Sequence, residues 1–229
     1  MSLVLHYHPL SSFCHKVLIA IYETGAPVQL RHLDLQDAGE RDAHRARWPL
    51  GKMPVLEDEA TGRVLPETSI IIEHLQQRHP GPLPLLPADP EAQLDVRLWD
   101  RVSDHYVMFP LQAAVAAVIA GDAAQAAKAQ AVSVAQLELA YGVFDRRLQD
   151  RTWLAGDDFS LADCAATPAL FYAGAVRPFA QDFPALGAYF ARLLERPSVQ
   201  RVLREAQPWI GYFPLLDRLP AAHRAAVER

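Results

Sequence analysis

The chain has 229 residues, of which 51% are apolar and 21% charged, a composition typical of a folded globular protein. The formal net charge of −5 excludes a broadly basic surface, so we expect no nucleic-acid partner. We find no apolar run that approaches the roughly 18 residues of a membrane span, and no signal peptide at the N-terminus, so we expect no membrane partner. Two cysteines cannot form a disulfide framework, which indicates a cytoplasmic protein. The histidines and cysteines lack metal-ligand spacing, so no metal is expected.

The first 80 residues alternate strand and helix patterns. SLVLHYH is rich in strand formers, and the apolar spacing from Cys14 to Ile21 then predicts a helix that ends at Gly25. A second strand, PVQLRHLDL, precedes a short charged helix over 39–47. MPVLED and GRVLPE flank a turn and predict a hairpin, and TSIIIEHLQQRH predicts a last helix. The predicted order β-α-β-α-β-β-α makes residues 1–80 an α/β domain.

A proline-rich segment interrupts the chain after this domain. Five prolines occur from Pro80 to Pro90 inclusive, a density that opposes both helix and central strand, so residues 81–90 are predicted to be a linker. Residues 91–229 carry helical patterns almost throughout. Two long helices are expected before residue 150, separated near Gly121 and Asp122, and three more follow. The second part is therefore predicted to be an all-α domain.

Ser11 and Ser12 precede the first predicted helix and admit two interpretations. A serine here can be the N-cap that accepts from the free N–H groups of the first turn. Alternatively, the helix N-terminus binds an anionic ligand group, and a serine hydroxyl donates to a thiolate and lowers its pKa. The sequence alone does not decide between the two hydroxyls.

Two further pairs also allow a structural and a functional interpretation. Met53–Pro54 is either an edge-strand proline or a cis bond that turns the Met53 backbone toward a peptide-like ligand. Glu67 and Thr68 either cap the last helix or form a clamp. In such a clamp, Glu67 accepts from an ammonium and Thr68 holds the neighbouring carboxylate.

Together, in this order, these motifs resemble the glutathione transferase family. The resemblance covers nearly the whole chain: GDDFSLADCAATPAL is similar to a helix-capping motif of that family, with Ser160 as the cap and Asp163 reaching back. It is closest in kind to bacterial members with serine at the catalytic position, related to the zeta class. SSFCHKV differs from the zeta motif because Phe13 separates Ser12 from Cys14.

The resemblance implies a thioredoxin-like domain over 1–80 that binds glutathione as co-substrate, with no metal. The helical domain over 91–229 would contribute the pocket for a small-molecule electrophile, and the protein would be a homodimer active in detoxification. Ser11 falls on the catalytic position. The residues implied to bind glutathione are Ser12, Phe13, Lys52, Met53, Pro54, Glu67 and Thr68.

The same resemblance favours one activity over the others. Ser11 replaces the first cysteine of a redox C-x-x-C motif, while Cys14 lies on the inward stripe of the helix, which favours thiol activation over disulfide reduction. The predicted function is a glutathione transferase that acts by conjugation, dehalogenation or isomerisation. The alternative is a non-enzymatic member of the same fold that binds a ligand or a protein partner.

An aromatic stripe supplies a candidate electrophile pocket. Trp99, Tyr106 and Phe109 recur at helical spacing and are either core or pocket, and Pro110 predicts a kink near Tyr106. The tail PWIGYFPLL adds further aromatic residues. The predicted pocket residues are Leu10, Tyr106, Phe109, Trp209 and Tyr212.

Overall fold

The computed structural model describes residues 3–228, and contacts divide the chain into two units, Met1–Leu86 and Pro87–Arg229. The boundary falls inside the segment that the sequence predicts as a linker. Leu85 and Leu86 are buried at the end of the first unit. The Gln76 side chain donates to the Leu86 carbonyl (2.7 Å) and accepts from the Leu86 N–H (2.8 Å). Part of the proline-rich segment is therefore packed rather than a free linker.

The first unit is a four-stranded sheet with three helices. Its strands lie in the order β2-β1-β3-β4, with β1 and β2 parallel and the other neighbours antiparallel. The element order confirms the predicted β-α-β-α-β-β-α pattern, and the unit is a thioredoxin-like α/β domain. In chain order the elements are β1 (Leu3–Tyr7), α1 (Ser12–Thr24), β2 (Val28–His32), α2 (Ala38–Arg47), β3 (Val55–Asp58), β4 (Arg63–Leu65) and α3 (Thr68–Arg78).

Helix α1 is the most deeply buried helix of this unit. Every residue from Cys14 to Ile21 is buried, including the polar His15 and Lys16. The helix ends at Gly25, whose φ of 68° is left-handed and whose N–H donates to the Ile21 carbonyl. Glycine is favoured here because it adopts a positive φ without steric cost. The predicted end of the helix is confirmed.

The second unit is all-α, as predicted. A break at Gly121 (φ 79°) separates α5 from α6, and the Asp122 carboxylate caps α6 by accepting from the N–H groups of Ala124 and Gln125. The π-helical turn and the two short 3₁₀ turns are Asp104–Met108, Gln207–Tyr212 and Leu216–Arg218. The α-helices are α4 (Pro90–Ser103), α5 (Phe109–Ile119), α6 (Ala123–Arg147), α7 (Leu161–Ala173), α8 (Pro184–Leu194), α9 (Pro197–Ala206) and α10 (Ala221–Val227).

Helix α7 is the centre of this unit, since all of its residues are buried and α4, α5 and α8 pack against it. Its start carries the predicted capping box, in which the Asp163 carboxylate accepts from the Ser160 backbone N–H (2.8 Å). The same carboxylate accepts from the Leu154 N–H (3.1 Å) and the Tyr189 hydroxyl (2.7 Å). This buried acid therefore also joins α7 to the preceding loop and to α8.

A π-helical turn takes the place of the kink predicted near Tyr106. Pro110 lacks an N–H and its ring would clash with the Tyr106 carbonyl in a regular helix, so the chain widens over Asp104–Met108. The wider turn changes the direction of the side chains within it and after it, relative to a regular helix. Trp99 is 7% exposed, whereas Tyr106 and Phe109 are 63% and 51% exposed. Trp99, Tyr106 and Phe109 therefore do not share one buried stripe, and the core interpretation is wrong for Tyr106 and Phe109.

The helical run Pro90–Ile119 also contradicts the prediction about membrane-spanning length. One stretch of it reaches a mean hydropathy of 1.3, so among the described residues this helical run is long and apolar enough to cross a membrane by length and composition alone. The expectation that no run approaches that length is wrong. The signal is weak, since core helices of soluble proteins meet the same two criteria and α4 and α5 pack against α7.

The end of α7 makes a tight contact with α10. A Cβ added to Gly174 would overlap the His223 ring and come within 2.9 Å of its Nδ1. That ring is fixed, because Nδ1 donates to the Phe171 carbonyl (2.9 Å) and the ring packs on Phe190 (4.7 Å between centroids). The ring has no room to yield to a methyl group.

We therefore predict that Gly174→Ala destabilises the protein by about 1–3 kcal/mol, the usual cost of overpacking. Thermal unfolding should show a melting temperature several degrees below wild type, at roughly 2–4 °C per kcal/mol. Gly211→Ala is the matched control, because a Cβ there would meet no atom within 4 Å. Equal melting temperatures for the two variants would contradict the contact.

Candidate active site

One edge of the sheet collects the segments that the sequence singles out. β1 and β2 end at this edge, and β3 begins there because it runs antiparallel to β1. β4 ends there because it is antiparallel to β3. The residue pairs nearest this edge are Tyr7–His32, His6–Val55 and Leu56–Leu65. The turn before α1, the loop before α2, the approach to β3 and the start of α3 therefore all lie at one edge.

Ser11 is the N-cap of α1, as the structural interpretation predicts. Its hydroxyl oxygen accepts from the Cys14 N–H (3.3 Å), and its own N–H donates to the His8 carbonyl (3.0 Å). Accepting that bond leaves the O–H able to donate, so capping and donation to a ligand are compatible. Ser11 and Phe13 are half-buried, whereas Ser12 is 7% exposed. Ser11 is thus the more accessible of the two hydroxyls.

Hydrogen bonds with two histidine rings stabilise the turn that leads into Ser11. The Leu10 N–H donates to His8 Nδ1 (3.2 Å), and the His15 ring donates from Nε2 to the Pro9 carbonyl (2.5 Å). Burial lowers the pKa of His15 to about 4, so the ring is neutral at physiological pH. Leu10 itself is half-buried. Sequence reasoning missed His15, since a histidine within a helix carries no signal of this contact.

Cys14 is a core residue. Its side chain is fully buried, and burial raises the pKa of the thiol to about 12. The hydrogen bond with Ser11 acts in the opposite direction but does not overcome burial. The thiol is therefore protonated at physiological pH and shielded from solvent, which fits the packing interpretation and opposes disulfide exchange.

The approach to β3 contains a cis peptide bond, Met53–Pro54. The structure therefore has the cis form of the two that the sequence left open. Pro54 is buried and Met53 is half-buried, while the Lys52 side chain is exposed. The His44 ring fixes this segment by donating from Nε2 to the Lys52 carbonyl (3.0 Å).

Glu67 and Thr68 lie at the start of α3. Glu67 occupies the N-cap position but makes no side-chain capping bond, so the prediction that this acid caps the helix is wrong. It is exposed, and it is the one non-glycine among residues 3–228 with a positive φ, 68°. Thr68 is 7% exposed, and the first turn of α3 contains no acidic side chain. This N-terminus is electrostatically suited to an anion.

A cavity of about 80 Å³ lies beside Met53, between α2 and the loop that precedes it. Two contacts shape the loop: Glu40 accepts from the Asp34 N–H (2.7 Å), and Arg41 donates to the Leu35 carbonyl (2.8 Å). Sequence reasoning missed this cavity, because α2 reads simply as a charged, exposed helix. The lining residues are Leu33, Asp34, Leu35, Glu40, Arg41, His44, Arg45, Gly51 and Met53.

The predicted pocket residues of the second unit lie on two segments. Tyr106 is on the π-helical turn and Phe109 begins α5. Trp209 and Tyr212 share the 3₁₀ turn Gln207–Tyr212, with ring centroids 6.4 Å apart. Tyr212 is 66% exposed. Leu10 belongs to the first unit, and the grouping of these five residues stays a prediction. Within residues 3–228, no group of three His, Cys, Asp or Glu side chains could hold a metal ion.

Comparison with known proteins gives two family matches. Residues 5–83 match "Glutathione S-transferase, N-terminal domain", and residues 106–197 match "Glutathione S-transferase, C-terminal domain". Glutathione S-transferase 4 of Zea mays is 30% identical over 84% of this chain and 88% of the relative. FtsZ-localized protein A of Caulobacter vibrioides is 30% identical over 96% and 95%. A glutathione S-transferase structure from Methylobacillus flagellatus with glutathione bound is 29% identical, covers 88% and 98%, and has a TM-score of 0.72.

The buried thiols generate a prediction. Cys14 and Cys164 are both free and buried, so neither should react in the folded protein. With a chromogenic disulfide reagent at pH 8, we expect no rapid thiol release from native protein and two equivalents in guanidinium. A mixed disulfide between Cys14 and glutathione, detected by mass spectrometry of native protein, would contradict this and support a redox activity.

Proposed function

The chain belongs to the glutathione S-transferase family, and we propose that it is a serine-type glutathione transferase. In this proposal the Ser11 hydroxyl stabilises the thiolate of glutathione, which attacks a small hydrophobic electrophile. The observation that carries the proposal is the convergence at one sheet edge of the Ser11 turn, Met53 and the Glu67–Thr68 pair.

The energies needed for thiol activation are within reach of this arrangement. Lowering a thiol pKa from about 8.5 by two units requires about 2.7 kcal/mol. A helix N-terminus contributes about 0.3–1 kcal/mol, and a hydrogen bond to a charged group about 1.5–3 kcal/mol. Ser11 lies at the N-terminus of α1 with an O–H able to donate, so in this proposal both effects stabilise the glutathione thiolate.

The rest of the edge fits a peptide with charged ends. Glu67 would accept from the γ-glutamyl ammonium, while Thr68 and the α3 N-terminus would hold the adjacent carboxylate. The Met53 backbone would pair with the cysteinyl part. Lys52 and Arg45, which is exposed beside the α2 cavity, would attract the glycyl carboxylate.

We propose thiol addition, halide displacement or double-bond isomerisation as the reaction types. In displacement, the sulfur forms a bond to carbon as the halide leaves with the electron pair of its own bond. Buried, protonated Cys14 offers no second thiol, which disfavours disulfide reduction. The exposed rings of Tyr106, Phe109 and Tyr212 support an apolar pocket for the electrophile.

A second candidate function is a non-enzymatic interaction module. The observation that favours it is the 30% identity with FtsZ-localized protein A over 96% of this chain, a relative whose name describes localisation rather than catalysis. Glutathione binding together with turnover discriminates between the two proposals. A transferase should bind immobilised glutathione and turn over 1-chloro-2,4-dinitrobenzene, whereas a pure interaction module should not turn it over.

We also propose a cytoplasmic homodimer that acts in detoxification. The support for a second copy of the chain is a set of exposed apolar side chains on α4 and α6. Leu94 and Leu98 are 62% and 54% exposed on α4, and Leu139 is 76% exposed on α6. A free monomer would present these side chains to water.

Ser11→Ala is expected to lower kcat/KM about 10- to 100-fold, the worth of one hydrogen bond to a charged group. The pKa of the bound thiol, followed by thiolate absorbance, should rise at the same time. Ser12→Ala is the control and should retain most activity, since Ser12 is buried. A neutral Ser11→Ala with an inactive Ser12→Ala would move the assignment by one residue, and two neutral variants would exclude activation by a serine hydroxyl.

Tyr106→Ala is expected to change the preference among electrophiles at least several-fold without changing glutathione affinity, because Tyr106 belongs to the predicted apolar pocket. The measurement is kcat/KM for aromatic and aliphatic electrophiles. Ile119→Ala, which removes another exposed apolar side chain of the same helical run, is the control. Unchanged preferences in a folded Tyr106→Ala protein would exclude this residue from the pocket.

A further inference from the structure

Lys16 is the most unusual side chain of the first unit. It lies in the second turn of α1, is 1% exposed and is among the largest fully buried side chains of residues 3–228. Burying an ammonium is costly unless hydrogen bonds and a favourable field compensate for the lost water. The position is also one where an apolar residue would continue the core. A lysine here therefore calls for an explanation beyond packing.

The ammonium of Lys16 reaches the start of α3. Its Nζ donates to Ser69 Oγ at 3.0 Å, and Ser69 is the second residue of that helix, directly after Thr68. An ammonium has only donors, so the Ser69 oxygen accepts and its own hydrogen must be directed to a different acceptor. A hydroxyl that accepts from a cation becomes a stronger donor through polarisation. This hydrogen-bonded Lys16–Ser69 pair, called the relay below, connects α1 to the first turn of α3.

The first turn of α3 is the place where the proposed function puts the γ-glutamyl carboxylate. The turn holds no acidic side chain, and the residue at the N-cap position, Glu67, does not cap it. A buried cation acts there through protein rather than through water, so its field is screened less than that of a surface lysine. The cation, the serine hydroxyl and the helix N-terminus all favour the same negative charge.

We propose that Lys16 is a positioning residue for the γ-glutamyl carboxylate of glutathione, acting through Ser69 on the first turn of α3. The inference rests on the proposed function, since it names the ligand group that this turn holds. Lys16 makes no contact with the ligand. It orients the Ser69 hydroxyl and adds positive potential, so it sets affinity for one carboxylate and not for the rest of the tripeptide.

The test uses Lys16→Met, which keeps an unbranched side chain and removes the charge, with calorimetric titration of three ligands. Glutathione carries both γ-glutamyl charges, glutaryl-cysteinylglycine lacks the ammonium, and 4-aminobutanoyl-cysteinylglycine lacks the carboxylate. We expect Lys16→Met to weaken the first two by about tenfold and to leave the third within about twofold of wild type. Lys16→Arg should restore most of the selectivity.

Two further variants keep the experiment decisive. Lys128→Met removes an exposed lysine of α6 and should change none of the three affinities. Ser69→Ala retains the ammonium and tests the relay if Lys16→Met does not fold, with the same ligand pattern expected. Equal losses for all three ligands, or no loss, would overturn the role of Lys16 while leaving the transferase proposal intact. A wild-type protein that binds none of the ligands would overturn the proposed function itself.

Discussion

The burial of α1 is the constraint on which the candidate site depends. A helix enclosed from Cys14 to Ile21 must find hydrogen-bond partners for every polar group that it carries inward. His15 finds the Pro9 carbonyl and Lys16 finds the Ser69 hydroxyl. These partners lie in the turn before α1 and in the first turn of α3. The polar groups that one buried helix must satisfy thus also fix two segments at the edge of the sheet.

The sheet topology brings these segments to the same edge of the sheet. Because β1 and β2 are parallel while β3 and β4 alternate in direction, loops from four places in the sequence meet at one edge. The strands need no unusual side chains to achieve this, and the chemistry lies in the loops and helix starts that they position. The same architecture would serve an enzyme or a binding module, so the fold alone does not separate those two functions.

Sequence patterns predicted most of this architecture for identifiable reasons. Apolar periodicity located the helices, Gly25 and Gly121 marked two helix ends, and Ser160 with Asp163 marked the start of α7. Periodicity did not predict the burial of His15 and Lys16. Polar residues in a helix pattern normally indicate a face exposed to solvent, whereas α1 is buried on that face as well. Periodicity also failed at the π-helical turn, where Pro110 predicted a disturbance but not its form. The α2 cavity depends on loop geometry that has no sequence signal.

Fold stability does not explain the backbone conformation of Glu67. The capping bond accounts for Ser11, and the contact with Ser69 gives Lys16 a structural partner. Glu67 has a positive φ, makes no capping bond and exposes its carboxylate. A non-glycine residue in such a conformation costs of order 1–3 kcal/mol, and glycine would avoid that cost. Glycine cannot supply a carboxylate beside the start of α3, so an exposed acid in this conformation favours a ligand with a cationic group over a purely structural role for this turn.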